Sequence, residues 1–291
     1  MKKINLIIGF VLLIAFFSCK KDDGGQGGVL PEEQFSYPVD VGNYWKYDHV
    51  TRFFSLDSIL NIPDSIVNTV HVEVAGKYLL NDTLDTFEFV EYVTSFNTNV
   101  TTSITFFTNE NDGFYYHGNR GGGVSLPVKG SNKVRFMDML FDNIPELFDY
   151  FTGFEKNQFS FNIKTDTIYP PDTIYLEDPP VKSLEYPLEV DSGWVYRAEG
   201  PIGKMEKKVL AKETITVPVG SHGCYKIKII YEDSALSSKI EFFDYISSVG
   251  LVRRVVSFDG LELTDDQGNV IGTFDVTDEI NLSDYFVKGI N

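Results

Sequence analysis

Residues 210–258 read LAKETITVPVGSHGCYKIKIIYEDSALSSKIEFFDYISSVGLVRRVVSF. Apolar and polar side chains alternate along this stretch with the period of 2 that sets one face of a β-strand on a core. Ile215 and Val217 alternate with Thr214 and Thr216, and Tyr225, Ile227, Ile229 and Tyr231 share a face opposite Lys226 and Lys228. In the last run Val252, Arg254, Val256 and Phe258 oppose Leu251, Arg253 and Val255. Turn residues separate the runs at Pro218-Val219-Gly220-Ser221, Glu232-Asp233-Ser234 and Ser247-Ser248-Val249-Gly250. The pattern predicts four short antiparallel strands in a meander.

The 291-residue chain opens Met1-Lys2-Lys3, continues through an apolar run, Ile4–Phe17, and reaches Ser18-Cys19. A charged start, an apolar stretch of this length and a small residue before a cleavage point predict a secretory signal peptide over 1–18. Ala15-Phe16-Phe17-Ser18-Cys19 resembles the lipobox of bacterial lipoproteins, which implies cleavage before Cys19 and acylation of that cysteine, palmitate included; the alternative is an ordinary cleaved signal with an incidental cysteine. A single acyl chain holds a protein only marginally, so stable attachment to a lipid bilayer requires more than one. Residues 19–35, rich in glycine and charge, read as a flexible tether; about 16 such residues reach roughly 20–24 Å. Lys20-Lys21-Asp22-Asp23 directly after the cysteine is similar to surface-export signals, and Lys rather than Asp beside the cysteine argues against inner-membrane retention, so the outer membrane, and by the same resemblance the cell surface, is expected; the alternative is a solvated linker with no address in it.

Removing Lys2 and Lys3 with the leader leaves 23 basic residues against 42 acidic, a formal charge of −19. Nucleic acid and anionic head groups are poor partners for such a chain as a whole, because both need clustered Lys and Arg. If Cys19 carries lipid, Cys224 is alone and no internal disulfide forms. Stability then rests on a hydrophobic core.

Two segments echo each other. Tyr37-Pro-Val-Asp-Val-Gly-Asn-Tyr-Trp-Lys-Tyr47 and Tyr186-Pro-Leu-Glu-Val-Asp-Ser-Gly-Trp-Val-Tyr196 both place a Trp and a Tyr two residues apart, on one strand face. Trp45, Tyr47, Trp194 and Tyr196 are therefore candidate ligand-contact aromatics for a sugar or apolar ligand; alternatively each Trp plugs a sheet core. These segments, with Glu213–Lys228 and Val249-Gly-Leu-Val-Arg253, resemble a family of uncharacterised secreted lipoproteins of DUF3108/TapB-like type. The resemblance implies an antiparallel, curved β-architecture and no agreed activity. The glycine of the second copy, Gly193, sits next to Trp194 rather than three residues ahead, so the second turn is expected to differ.

Between the copies, Val70, Val72 and Val74, then Phe87 and Phe89, alternate with polar residues, and 103–108 with 114–117 flank the turn Asn109–Gly113. Gly121-Gly122-Gly123 lacks the Lys-Ser/Thr of a phosphate loop. Met137, Leu140, Phe141, Ile144, Leu147, Phe148 and Phe151 fall at helical spacing, which predicts a helix over Val134–Phe151, broken at Pro145 and covering the sheet. Pro170-Pro171 and Pro179-Pro180 mark an extended loop or edge strand. Triplets beginning at Asp57, Asp64, Asp82, Asp166, Asp172 and Asp233 are similar to an O-glycosylation acceptor, and are also ordinary turn chemistry. Asp265–Asn269 joins a C-terminal hairpin in which Asp275, Asp278 and Glu279 are candidate ligands for a hard cation.

His49, His71, His117 and His222 have no Cys, Glu or His at metal-ligand spacing, and His222 with Cys224 is the one nucleophile–base pair to weigh. No nucleophile elbow, dinucleotide fingerprint or P-loop is present. The expectation is mainly β: an antiparallel, strongly curved sheet, half-barrel or sandwich with one or two short helices. A β-rich domain over 36–258, in halves 36–182 and 183–258, is followed by a hairpin and tail over 259–291. The functional expectation is a lipid-anchored envelope lipoprotein with no catalytic residues, metal or cofactor, binding an apolar ligand, glycan or protein partner. The competing class is a surface glycan hydrolase, which needs two carboxylates about 5–10 Å apart in a cleft.

Overall fold

In a computed structural model, the described residues are 35–55, 64–95, 100–120, 133–137, 139–141, 147, 173–199, 203–265 and 267–290; all lie in the unit Gln34–Asn291. The alternation seen in 210–258 extends through most of them. The first half supplies β1 (Tyr44–Ser55), β2 (Ser65–Leu80), β3 (Leu84–Ser95), β4 (Val100–Glu110), β5 (Gly113–Arg120) and β8 (Ile174–Glu185). The second supplies β9 (Gly193–Arg197), β10 (Met205–Val217), β11 (Gly220–Tyr231), β12 (Ile240–Ser247), β13 (Gly250–Thr264) and β14 (Val270–Phe286), with helix α1 (Ser234–Ser237) between β11 and β12.

Each half is a meander, and the two join head to tail. The strand order is β8-β5-β4-β3-β2-β1-β14-β13-β12-β11-β10-β9, an antiparallel, nearly closed barrel of twelve strands. β1 and β14 pair from Tyr44↔Phe286 to Ser55↔Phe274. The segment after Phe258 is thus central rather than appended: the division expected at 258 falls inside β13, and β14 lies between β13 and β1. The β8 and β9 ends approach each other through side chains, not a backbone ladder. Trp194 Nε1 donates to the Lys182 carbonyl at 2.9 Å, and Arg197 forks onto Glu177 at 3.0 and 3.1 Å.

The helix predicted over Val134–Phe151 is corrected in its first part. β6 (Lys133–Phe136) and β7 (Met139–Phe141) form a hairpin turning at Met137, whose φ is 54°. β13 overrides the helical spacing, because its far end offers a free edge: Glu262↔Arg135, Leu263↔Val134 and Thr264↔Lys133. Leu147 is helical and fully buried; the rest of 142–151 lies outside the described residues.

The short turns at 81–83, 111–112, 218–219 and 248–249 gather at one end, where aromatic rings close the interior. Tyr37 stacks on Phe114 at 4.7 Å, Phe114 on Phe107 at 4.6 Å, and Trp45 lies parallel to Phe89 at 6.2 Å. The two Tyr-Pro segments meet directly. Tyr37 N–H donates to Tyr186 Oη, the Tyr186 hydroxyl donates to Asn109 Oδ1, and Asn109 Nδ2 donates to the Tyr37 carbonyl. Gly250, at φ +100°, makes room for this packing, since a Cβ there would stand 3.0 Å from Trp45 Nε1 and 3.1 Å from Tyr37 Oη. Gly250→Ala is expected to lower stability by about 2 kcal/mol or more, combining backbone strain with displacement of a buried indole. A urea midpoint unchanged from the parent would contradict that packing.

Candidate functional site

One inward position on each of β10, β12 and β13 carries charge among apolar neighbours. Asp244 faces Arg254 across the β12–β13 ladder, and Lys207 follows the same inward row from β10 between Trp194 and Ile229. Arg254 Nε and Nη2 fork onto Asp244 at 2.6 and 3.0 Å. Lys207 Nζ lies 3.9 Å from the same carboxylate, donates to the Ser183 carbonyl at 3.1 Å, and sits 4.2 Å over the Tyr196 ring. The side chains of Lys207 and Asp244 are each 3% exposed. At this depth the fork and the carbonyl offset desolvation that an unpaired ion could not bear.

Beside the cluster lies a cavity of about 20 Å³, room for a single water molecule, against Tyr37, Ser183, Lys207, Asp244 and Arg254. Neither a sugar nor an acyl chain fits it. Across the interior, Glu91 on β3 is buried, and burial holds its carboxyl well above the usual carboxylate range while the Arg254 charge pulls the other way. Its Oε2, and the hydroxyl of its register partner Ser103, have no hydrogen-bond partner. Burial likewise pushes the Tyr47 phenol up, and its hydroxyl donates to the Leu251 carbonyl at 3.2 Å.

The four aromatics singled out from the sequence all lie inside: Trp45 is 1% exposed, Tyr47 2%, Trp194 6% and Tyr196 3%. Both indole N–H groups donate to backbone carbonyls of the opposite half, Trp45 to Val249 and Trp194 to Lys182. They sit as core plugs, the alternative raised for them above. Cys224 is buried and its thiol is pushed up to about 12 by burial; Sγ contacts the His222 carbonyl at 3.5 Å, whereas the His222 ring packs on Tyr285. The three C-terminal acids bind separate protein donors. Asp275 accepts from Gly260 N–H, Asp278 contacts His49 and accepts from Thr51, and Glu279 takes Arg52 and Arg253. Among the described residues no group of three or more His, Cys, Asp and Glu side chains is placed to hold a metal ion.

Sequence reasoning missed the Lys207–Asp244–Arg254 cluster and Glu91. One signal was present: Lys207, Asp244 and Arg254 occupy the inward register of strands whose other inward residues are apolar. Ser65, Thr83 and Ser234 of the acceptor-like triplets are exposed; those beginning at Asp57 and Asp166, and Asp172 itself, lie outside the described residues, as do Cys19 and Gly121–Gly123.

The fold and interior define a class: a nearly closed, twelve-stranded antiparallel barrel whose described interior is closely packed and ion-paired. No protein-family model matches the chain, and no curated protein matches it. Two solved structures are similar. One, provisionally described as an exported protein with a YmcC-like fold from Bacteroides fragilis NCTC 9343, is 11% identical, with 87% of this chain and 99% of that chain covered and a TM-score of 0.33. Another, provisionally described as a lipoprotein from Parabacteroides distasonis ATCC 8503, is 13% identical, with 86% and 97% covered and a TM-score of 0.30. At these TM-scores the likeness carries no argument, and the DUF3108/TapB-like resemblance rests on the motifs quoted above.

Removing one partner of a buried ion pair leaves the other charge uncompensated, so Asp244→Ala is expected to cost about 3–5 kcal/mol in chemical denaturation; a loss below about 1 kcal/mol, the scale of surface pairs, would contradict the cluster's burial. The folded barrel binds the Glu91 proton more tightly than the unfolded chain does. Its contribution to stability is complete below the ordinary carboxylate pKa and is lost as pH rises from there toward the raised folded value. Glu91→Gln is expected to be more stable than the parent at pH 8 and to flatten the decline in urea midpoint between pH 5 and 8. A parent midpoint that rises through that window in step with the variant's would overturn this.

Proposed function

We propose that this chain is an outer-membrane envelope lipoprotein, held by an acylated Cys19 and facing the cell exterior, whose barrel is a non-enzymatic binding or assembly module for a glycan or protein partner engaged from outside. The observation that carries the outward part of the reading is the filled interior. Trp45, Phe107, Phe136, Phe258 and Phe274 are each below 2% exposed, and the cavity beside the charged cluster has room for about one water. A molecule bound among the described core residues would have to displace packed rings and a forked ion pair.

The anchor part is supported by the charged start, apolar run and Cys19 of the leader. The non-enzymatic part is supported by where the interior acids lie. Asp244 is forked by Arg254, and Glu91 is enclosed and held toward its neutral form, so neither faces a groove open to a polymer.

The test is expression of the full chain in a lipoprotein-processing host with labelled palmitate. The parent is expected to take up label and partition into detergent; Cys19→Ser is expected to do neither. Parent protein that stays unlabelled in the aqueous phase would remove the anchor. Tryptophan emission unchanged by added long-chain fatty acid is the companion result expected of a filled interior.

A further inference from the structure

On β1 the residues that alternate with the buried Trp45, Tyr47 and His49 are Tyr44, Lys46 and Asp48, and they face outward. Tyr44 has Phe286 of β14 as a register partner, Lys46 has His71 of β2, and His71 in turn pairs with Tyr92 of β3. The outward register of four adjacent strands therefore lines up Phe286, Tyr44, His71 and Tyr92, with successive ring centres 6.2, 5.5 and 5.8 Å apart. Phe286 is 49% exposed and the other three are half-buried. None of the four belongs to the packed core. Rings of this size usually fill interiors, so a contiguous row on the solvent side of the wall marks a contact surface.

Polar groups sit between and beside the rings. Tyr92 Oη donates to Glu73 Oε1 at 3.1 Å, Lys46 Nζ donates to Asp284 Oδ2 at 2.7 Å, and Tyr44 Oη donates to the same oxygen at 3.4 Å. Lys46 Nζ also lies 5.2 Å from the Tyr44 ring centre. The Lys46 and Asp284 side chains are 40% and 47% exposed, open to a ligand on the rings. Hydrogen bonding from Lys46 holds the Asp284 carboxyl below the usual carboxylate range, and burial holds the His71 imidazole toward its neutral form against the pull of Glu73.

This chemistry selects among occupants. In the row's own register Glu73, Asp284 and Asp48 stand against one cation, Lys46, which repels a polyanion. A cationic ligand would have to displace Lys46, which already holds both ring and carboxylate. Four rings of about 150–250 Å² each, at most half exposed, fall short of the roughly 800 Å² per partner of a stable protein interface, whose centre is also depleted of charge. An uncharged saccharide fits each feature. Its C–H faces pack on rings, and its edge hydroxyls bond to carboxylates and phenols. Three strand spacings make the row about 14 Å long, more than one sugar unit. Successive ring planes differ by 26°, 53° and 64°, which suits a soluble, twisting chain rather than a flat crystalline one.

We propose that Phe286, Tyr44, His71 and Tyr92 form a surface platform for a neutral oligosaccharide, with Glu73, Lys46 and Asp284 addressing its hydroxyls; this rests on the reading of the barrel as a module engaged from outside. The test is bio-layer interferometry of the full-length acylated protein in mild detergent over immobilised β-glucan, mannan, xylan and galactan, with polygalacturonate as the anionic comparison. Binding to at least one neutral polymer and none to polygalacturonate is expected. Tyr44→Ala and Phe286→Ala, folded by circular dichroism, are each expected to weaken it about two- to tenfold, the scale of one aromatic contact. Tyr44→Phe, which keeps the ring, should retain most of the affinity, and Phe54→Ala, at a 51% exposed ring of β1 outside the row, should leave it unchanged. A parent that binds none of the neutral polymers, or binds polygalacturonate as tightly, would overturn the platform while leaving an anchored module for a protein partner standing. Glycan binding undiminished in the Tyr44→Ala/Phe286→Ala double variant would overturn the platform and keep the glycan reading. A parent dimer in sedimentation that Phe286→Ala dissolves would give this face to a second copy instead.

Discussion

Everything in this barrel depends on the pairing of its first strand with its last. β1 and β14 are separated by more of the chain than any other neighbours, yet they form one of its longest ladders, from Tyr44↔Phe286 to Ser55↔Phe274. Closing so long a loop costs entropy before any contact rewards it, so each meander must carry enough local order to make the junction worthwhile. Two indoles brace what the ladder joins. Trp45, at the start of the first half, reaches a carbonyl in the second, and Trp194, at the start of the second, reaches one in the first. The head-to-tail arrangement explains why the chain carries the Tyr-Pro…Trp-x-Tyr segment twice. Each copy opens a half, and each must bind to the half it does not belong to.

A packed interior with ions in it is a costly design. Lys207, Asp244 and Arg254 sit where apolar residues of similar size would pack with less penalty, and such replacements are often neutral or stabilising. The fork and the carbonyl contact make the cluster tolerable, and they allow few other geometries. Glu91 and Ser103 go further, with polar atoms buried and unmatched at a cost of about 1–3 kcal/mol each. Among the described residues the interior around this cluster is closely packed, and the outer wall is built differently. There the alternation that sends Ile227 and Ile229 inward sends Lys226 and Lys228 outward, over Phe243 and Tyr245.

Much of the fold was legible because period 2 is a local signal. The runs at 210–217, 225–231 and 251–258 fall within β10, β11 and β13, and the turns at Pro218 and Ser248 fall where read. The failure at Val134–Phe151 is equally physical. Its i, i+3, i+4 spacing fits a helix, but Val134 and Phe136 also alternate with Lys133 and Arg135, and the protruding end of β13 supplied a partner that only the period-2 reading could use. Site residues were harder. Asp244 looks like any other acid until its strand is placed beside Arg254, and the Asp278 contact to His49 spans 229 positions.

The sequence by itself determined strand content, the order of hairpins and the doubled aromatic segment, and it carries the apolar run that ends at Cys19, because alternation, turn chemistry and an apolar run are written within a few residues of each other. Only the tertiary structure decided that the halves close head to tail, that the C-terminal segment is central, and that Trp45, Tyr47, Trp194 and Tyr196 point into a filled core. Those outcomes turn on which distant strand edges meet. Register between remote segments follows from the packing of the whole barrel, and no short window of residues encodes it.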